Sequence, residues 1–124
     1  MFFFSAWNDR VKANKTARFD FLFDTDTPQE EIFRACGIND LVKQVVDGYN
    51  STIFAYGQTG SGKTFTMEGY KYKPNDKGIP VAQISNTSQP DDGIVPRSIH
   101  YLYDLIKKEQ GMNKKKFTVH CSYL

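Results

Sequence analysis

Gly57-Gln58-Thr59-Gly60-Ser61-Gly62-Lys63-Thr64 is an uninterrupted G-x-x-x-x-G-K-[ST] pattern, the spacing of a loop that cradles nucleotide phosphates. Each fixed residue type answers a physical need. Gly57, Gly60 and Gly62 carry no Cβ, so the backbone can take positive φ and turn its N–H groups inward around an anion. Lys63 brings a compact positive charge to the β- and γ-phosphates, and the Thr64 hydroxyl can ligate a Mg²⁺ that bridges them. Neither side chain activates an attacking water, so the loop predicts nucleotide binding without establishing hydrolysis. The same glycines would also serve a plain flexible turn with a solvated lysine, but so many fixed positions seldom coincide by chance in 124 residues.

Such a loop needs a strand to aim it and a helix behind it. The contiguous run Ile53-Phe54-Ala55-Tyr56 makes 51–56 the expected strand, fully buried and central, with the loop at its carboxyl end, where open α/β sheets bind ligands. Upstream, Phe19, Phe21 and Phe23 alternate with Asp20, Leu22 and Asp24, which sets three rings on one face of a short strand, for core packing or for a binding surface. Thr27-Pro28 followed by Glu30 predicts a capped helix start. Ile38, Leu41, Val42, Val45 and Val46 then form a second helical stripe, ended by Gly48.

Downstream, 70–92 holds Pro74, Pro80 and Pro90 among polar residues without an apolar period, and is expected as a surface loop or insertion. Val95, Ile99, Leu102 and Ile106 recur at helical spacing until about Gln110-Gly111. Phe117, Val119, Cys121 and Tyr123 alternate with polar residues as a closing strand. The resulting class is α/β, a central, mostly buried sheet flanked by helices, preceded by an irregular segment over 1–16.

Sixteen basic against 14 acidic residues leave a net charge of +2, too balanced for a nucleic-acid binder, and 40% hydrophobic residues suffice for one modest core. Cys36 and Cys121 lack metal-ligand spacing and are expected as buried, reduced thiols. The apolar opening Met1 to Trp7 has no basic lead and is cut short by Asp9 and Arg10, a poor signal peptide, and no stretch approaches transmembrane length. The sequons at Asn14, Asn50 and Asn86 are therefore read as accidental, and a cytoplasmic setting is expected, with no membrane partner. Lys114, Lys115 and Lys116, near Lys107 and Lys108, read as a solvated turn or as a contact for an acidic filament or phosphate backbone. His100 and His120 have no companions at ligand spacing and are assigned to structure.

The run Gly48-Tyr49-Asn50-Ser51-Thr52-Ile53-Phe54-Ala55-Tyr56, continuing through the glycine-rich loop into Phe65-Thr66-Met67-Glu68-Gly69, resembles the nucleotide-loop signature of the kinesin motor domain. Phe19-Asp20 with Phe23-Asp24, the helix from Gln29 to Cys36, Gly93-Ile94-Val95-Pro96-Arg97 and Phe117 to Tyr123 are similar to kinesin segments in the same order. The likeness runs from Ala17 to Leu124, with 70–92 as a family-variable insertion. It implies a partial P-loop NTPase fold of the kinesin-motor type, incomplete at its carboxyl end. ATP as nucleotide, Mg²⁺ as cofactor, the microtubule as partner and a cytoskeletal location follow from it. By the same resemblance Tyr49 and Phe65 match positions close to the adenine; core or hinge packing is their other reading.

The sequence departs from the family pattern at both ends. Nothing over 1–16 matches the Arg-x-Arg-Pro segment with which kinesins hold the adenine, and at Ser122-Tyr123-Leu124 the sequence stops before the two switch segments. ATP hydrolysis coupled to microtubule-based movement is thus the expectation for the family. A non-catalytic structural or assembly protein that keeps a nucleotide-binding half-fold is the alternative for the chain as written. On this reading uncovered sheet edges would make it poorly soluble or marginally folded in isolation. A small kinase or a GTPase fits less well, because neither acceptor-binding arginines with a lid nor an Asn-Lys-x-Asp guanine reader occurs.

Overall fold

The computed structural model describes residues 18–69, 72–82, 88–113 and 116–122. In chain order they form α1 (Gln29–Ala35), α2 (Ile38–Val46), α3 (Lys63–Met67), β1 (Tyr72–Pro74), β2 (Pro80–Ala82) and α4 (Ile94–Asn113). Expectations placed on 1–17, Asn86, Lys114, Lys115, Tyr123 and Leu124 lie outside the described residues.

The first helix starts where proline chemistry puts it. Pro28 is itself the N-cap, extended at φ −61° and ψ 143°, so α1 opens without a side-chain cap, while Glu30 and Glu31 sit at its positive end and Arg34 in its last turn. Gly37 breaks the chain in the left-handed region at φ 67°, which lets α2 leave at once in a new direction. Along α2, Ile38 and Val42 are buried and Leu41 packs beside them, whereas Val45 is left exposed. Gly48, at φ 100°, follows the helix end as its sequence position implies.

The core is Phe33, Cys36, Ile38, Val42 and Ile94, with Phe23, Ile53, Met67, Leu102 and Leu105 among the residues packed against it. It lies where α1, α2 and α4 meet. The stripe of α4 differs from the expected one: Ile94 and Ile106 are buried with Tyr101, Leu102 and Leu105 turned inward, while Val95 and Ile99 are exposed. A stripe starting at 94 continues through 98, 101, 102, 105 and 106 at the helical period, so the true face is rotated by about one residue. The helix also runs through Gly111 to Asn113, past the expected stop.

All three expected strands take another form: 19–24 is in no ladder, Phe23 packs on the core and Phe21 is left exposed beside it. The segment 51–56 belongs to no hydrogen-bonded ladder. Its exposure alternates, with Ser51, Ile53 and Ala55 turned inward and Thr52, Phe54 and Tyr56 outward, the period of an extended chain with one covered face. Full burial needs a layer on each side; Ile53 packs on the core, but Phe54 is 54% and Tyr56 81% exposed. Likewise 116–122 is in no ladder, Val119 is exposed, and Cys121 is exposed instead of buried, because no described element covers that segment.

The described ladder lies instead within 70–92, expected as plain loop. There β1 and β2 pair antiparallel in the register Tyr72↔Ala82, Lys73↔Val81 and Pro74↔Pro80. The turn between them is built on Asn75, whose Oδ1 accepts the Lys77 N–H at 2.9 Å and the Ile79 N–H at 3.0 Å, with Gly78 at φ 73°.

Candidate nucleotide-binding site

The glycines of the loop do different things. Gly60 and Gly62 stand at φ 81° and 85°, which L side chains resist, and so shape the turn as expected. Gly57 does not have positive φ; a Cβ there would meet the rotatable Ser61 Oγ and lie 3.2 Å from Ser61 Cβ, so what it contributes is close approach across the loop and not a left-handed turn. Ser61 N–H closes the turn on the Gln58 carbonyl at 3.2 Å, over Thr59 and Gly60.

Lys63 is the first residue of α3, and its ammonium turns back to donate to the Gly57 carbonyl at 2.8 Å and the Gln58 carbonyl at 2.6 Å. The cation is thereby fastened over the mouth of the loop. The first intrahelical bond runs from Thr66 N–H to Gly62 O at 2.9 Å, so the N–H groups of Lys63, Thr64 and Phe65 precede it and point out of the amino end of α3. Those N–H groups, the helix's positive end and the ammonium together offer positive charge and free donors to an anion. The exposed Thr64 follows Lys63 in the same turn and offers one hydroxyl to a cation. Among the described residues no cluster of three or more His, Cys, Asp or Glu could hold a metal by itself.

Tyr49 and Phe65 are 68% and 59% exposed respectively, the one three residues beyond α2 and the other within α3. No ring contact joins them among the described residues. Other residues of the site were not singled out from the sequence. The Gly93 N–H donates to the Glu68 carbonyl at 3.0 Å, and a Cβ on Gly93 would come within 2.7 Å of the Met67 and Thr66 carbonyl oxygens. Gly69 is equally closed in by the Asp91 carbonyl and the Gly93 nitrogen. The chain therefore leaves α3 and returns to α4 through one backbone crossing, with the hairpin between. Tyr72 of the hairpin donates its hydroxyl to Glu68 Oε2 at 2.6 Å.

Arg97, in the first turns of α4, donates to the carbonyls of Asp92 at 2.7 Å, Pro90 at 2.8 Å and Gln89 at 3.1 Å, and so fixes the turn that delivers Gly93. The glycines at 69 and 93 were visible in sequence as part of matching segments, but their mutual contact was not, since 70–92 separates them.

A glycine-rich turn, a lysine at the amino end of the following helix and helices packed about a mixed core define an α/β protein of the P-loop class. The kinesin motor domain family model matches residues 5–124, and the chain belongs to that family. It is 44% identical over 112 residues to human kinesin-like protein KIF15, covering 89% of this chain and 7% of that protein. Human chromosome-associated kinesin KIF4A is 38% identical over 114 residues, covering 92% of this chain and 8% of its own length. The chain thus spans less than a tenth of these relatives.

Among solved structures, Drosophila Kin10/NOD in complex with divalent manganese and ADP superposes with a TM-score of 0.61 at 27% identity, over 90% of this chain and 35% of that one. NOD in complex with AMPPNP gives 0.59 at 28% identity, over 79% and 28%. NOD docked with bovine tubulin in a map of the microtubule complex gives 0.62 at 27%, over 90% and 35%. The expected kinesin-type α/β fold is borne out by these neighbours, although the sheet among the described residues is a two-stranded exposed hairpin and not the expected central buried sheet. Among the described residues no helix is long and apolar enough to cross a membrane.

Proposed function

We propose that this chain is the ATP-binding portion of a kinesin-like microtubule motor, whose complete activity couples ATP hydrolysis to movement along microtubules. The observation that carries the reading is the Lys63 ammonium fastened across the loop beside the amino end of α3. Phosphate oxygens offer that ammonium and the N–H groups of Lys63, Thr64 and Phe65 better acceptors than the loop's own carbonyls, because both partners are then charged or strongly polar. Gln58, Thr59 and Ser61 supply backbone to the rim. Thr64 would hold Mg²⁺, which neutralises phosphate charge when bound; with one protein hydroxyl available, the other ligands would be phosphate and water. Tyr49 and Phe65 would receive the adenine on their exposed faces.

A NOD structure contains ADP with divalent manganese and another contains AMPPNP, which supports nucleotide and divalent metal as ligands of this site. NOD docked on the microtubule supports tubulin as partner, and cytoskeletal localisation follows from that partner.

Binding of a labelled ATP analogue, with and without Mg²⁺, tests the site. Loss of a charge-assisted bond is worth about 1.5–3 kcal/mol, so Lys63→Ala should weaken binding by roughly ten- to a hundredfold, and Mg²⁺ should strengthen it in the wild type. Equal affinity of the two proteins would refute the role of the loop.

A further inference from the structure

A helix as short as α3 does not hold itself in water, so the geometry of the phosphate loop depends on what grips it. One grip is the crossing of Gly93 on Glu68. A second is Gln29, in the first turn of α1, whose Nε2 donates to the Phe65 carbonyl at 2.7 Å across 36 residues of sequence, beside the packing of Met67 on the core. That carbonyl lies in the last turn of α3, where helix carbonyls run out of intrahelical donors. The amide orientation is set by this bond, since the reversed amide would press Oε1 on another oxygen.

Gln29 is 5% exposed, and its Oε1 is buried without a hydrogen-bond partner. For stability alone this is a poor side chain, because a bare buried acceptor opposes folding and an apolar residue of the same shape would avoid it. What the amide alone supplies is the donated bond. It ties α3 to the helix that carries Phe33 and Cys36 into the core, and thereby fixes how the N–H groups of Lys63, Thr64 and Phe65 point.

We infer that Gln29 is a positioning residue for the phosphate site: it touches no ligand, and it holds α3 in the orientation that binds the phosphate chain. The inference rests on the ATP-site reading above. Because it concerns the direction of backbone N–H groups, it applies to the phosphate chain whether or not a base is attached.

The test uses the whole 124-residue chain and two probes, Mg²⁺-ATP and Mg²⁺-tripolyphosphate, titrated against wild type and Gln29→Met, with melting midpoints recorded. Methionine keeps the volume and removes both the donor and the bare acceptor. Both probes should bind about five- to tenfold more weakly while the midpoint moves by only a few degrees. A lowered midpoint with unchanged affinity of the folded protein would make the role structural and overturn the inference, as would weakening for ATP alone. If Gln29→Met does not fold, Gln29→Leu, which also lacks the donor and buries no charge, should show the same loss. Failure of both variants to fold would again assign Gln29 to stability and overturn the inference. Wild type that binds neither probe would instead remove the ATP-site reading, a failure that Lys63→Ala identifies separately.

Discussion

Cys36 caps the end of α1 and is 4% exposed; burial disfavours its thiolate and pushes its pKa from 9.0 up to about 11. The sign follows from the protonated form being the one the fold accepts. Below about pH 9 both folded and unfolded chains keep the proton, so this group leaves stability independent of pH. Between about 9 and 11 the unfolded chain ionises and the folded one does not, so stability falls as pH rises through that window. At pH 8 the two-unit difference lowers the thiolate fraction of Cys36 about a hundredfold, whereas Cys121 is exposed. Iodoacetamide should therefore label native protein at Cys121 and leave Cys121→Ser almost unlabelled until denaturant is added. Comparable native labelling of both thiols would show that Cys36 is not shielded. Residue types in the loop were legible because Gly, Lys and Thr at fixed spacing carry their own chemistry. Pairwise contacts were not: nothing in the sequence tells that Gly57 faces Ser61 while Gly60 and Gly62 turn the backbone, or that a glutamine at a helix start is buried.

Helices were readable from periodicity to the extent that one face is buried. The α2 stripe held at Ile38, Leu41 and Val42, while α4 was found but rotated, because Val95 and Ile99 fit the period as well as Ile94 and Tyr101 do. Segment 51–56 departs from the expected buried strand because an apolar run records how hydrophobic a segment is and not how many layers cover it. The hairpin was missed because Pro74 and Pro80 interrupt alternation, although Asn75 and Gly78 mark its turn. Element-level glycines separate cleanly in their expected response to alanine. Gly111 lies within α4 with nothing within 4 Å of a new Cβ, so Gly111→Ala should stabilise by about 0.5–1 kcal/mol through helix propensity. Gly93→Ala meets backbone of Met67 and Thr66 at 2.7 Å. It should cost about 2 kcal/mol or more and disturb α3 with it, since the new methyl cannot be met by a rotamer change. Urea titration of both variants measures the contrast; a Gly93→Ala as stable as wild type would mean that the crossing of α3 and α4 is loose.

For the molecule as a whole, burial concentrates on Phe33, Cys36, Ile38, Val42, Ile94 and Ile106, while Leu22, Tyr49, Phe54 and Tyr56 remain exposed. Stability then hangs on a small set of side chains, and the site hangs on the same set, because α3 is tied to α1 through Gln29 and to α4 through Gly93. Ile38 is fully buried at the start of α2, and Ile38→Ala should cost about 2–5 kcal/mol in transfer and cavity terms, a large share of the total for a domain of marginal stability. A ligand that binds only the folded state opposes that loss by about 2.7 kcal/mol at a hundred times its Kd. Saturating Mg²⁺-ATP should therefore raise the melting midpoint of Ile38→Ala, and the same concentration should do much less when Lys63→Ala is added. A rise of equal size in the double variant would mean that the nucleotide stabilises the chain somewhere other than the loop. A cost below about 1 kcal/mol for Ile38→Ala itself would place the centre of the core elsewhere. Reading ligand binding through a core residue in this way works only if core and loop form one cooperative unit, which the grips of Gln29 and Gly93 on α3 require.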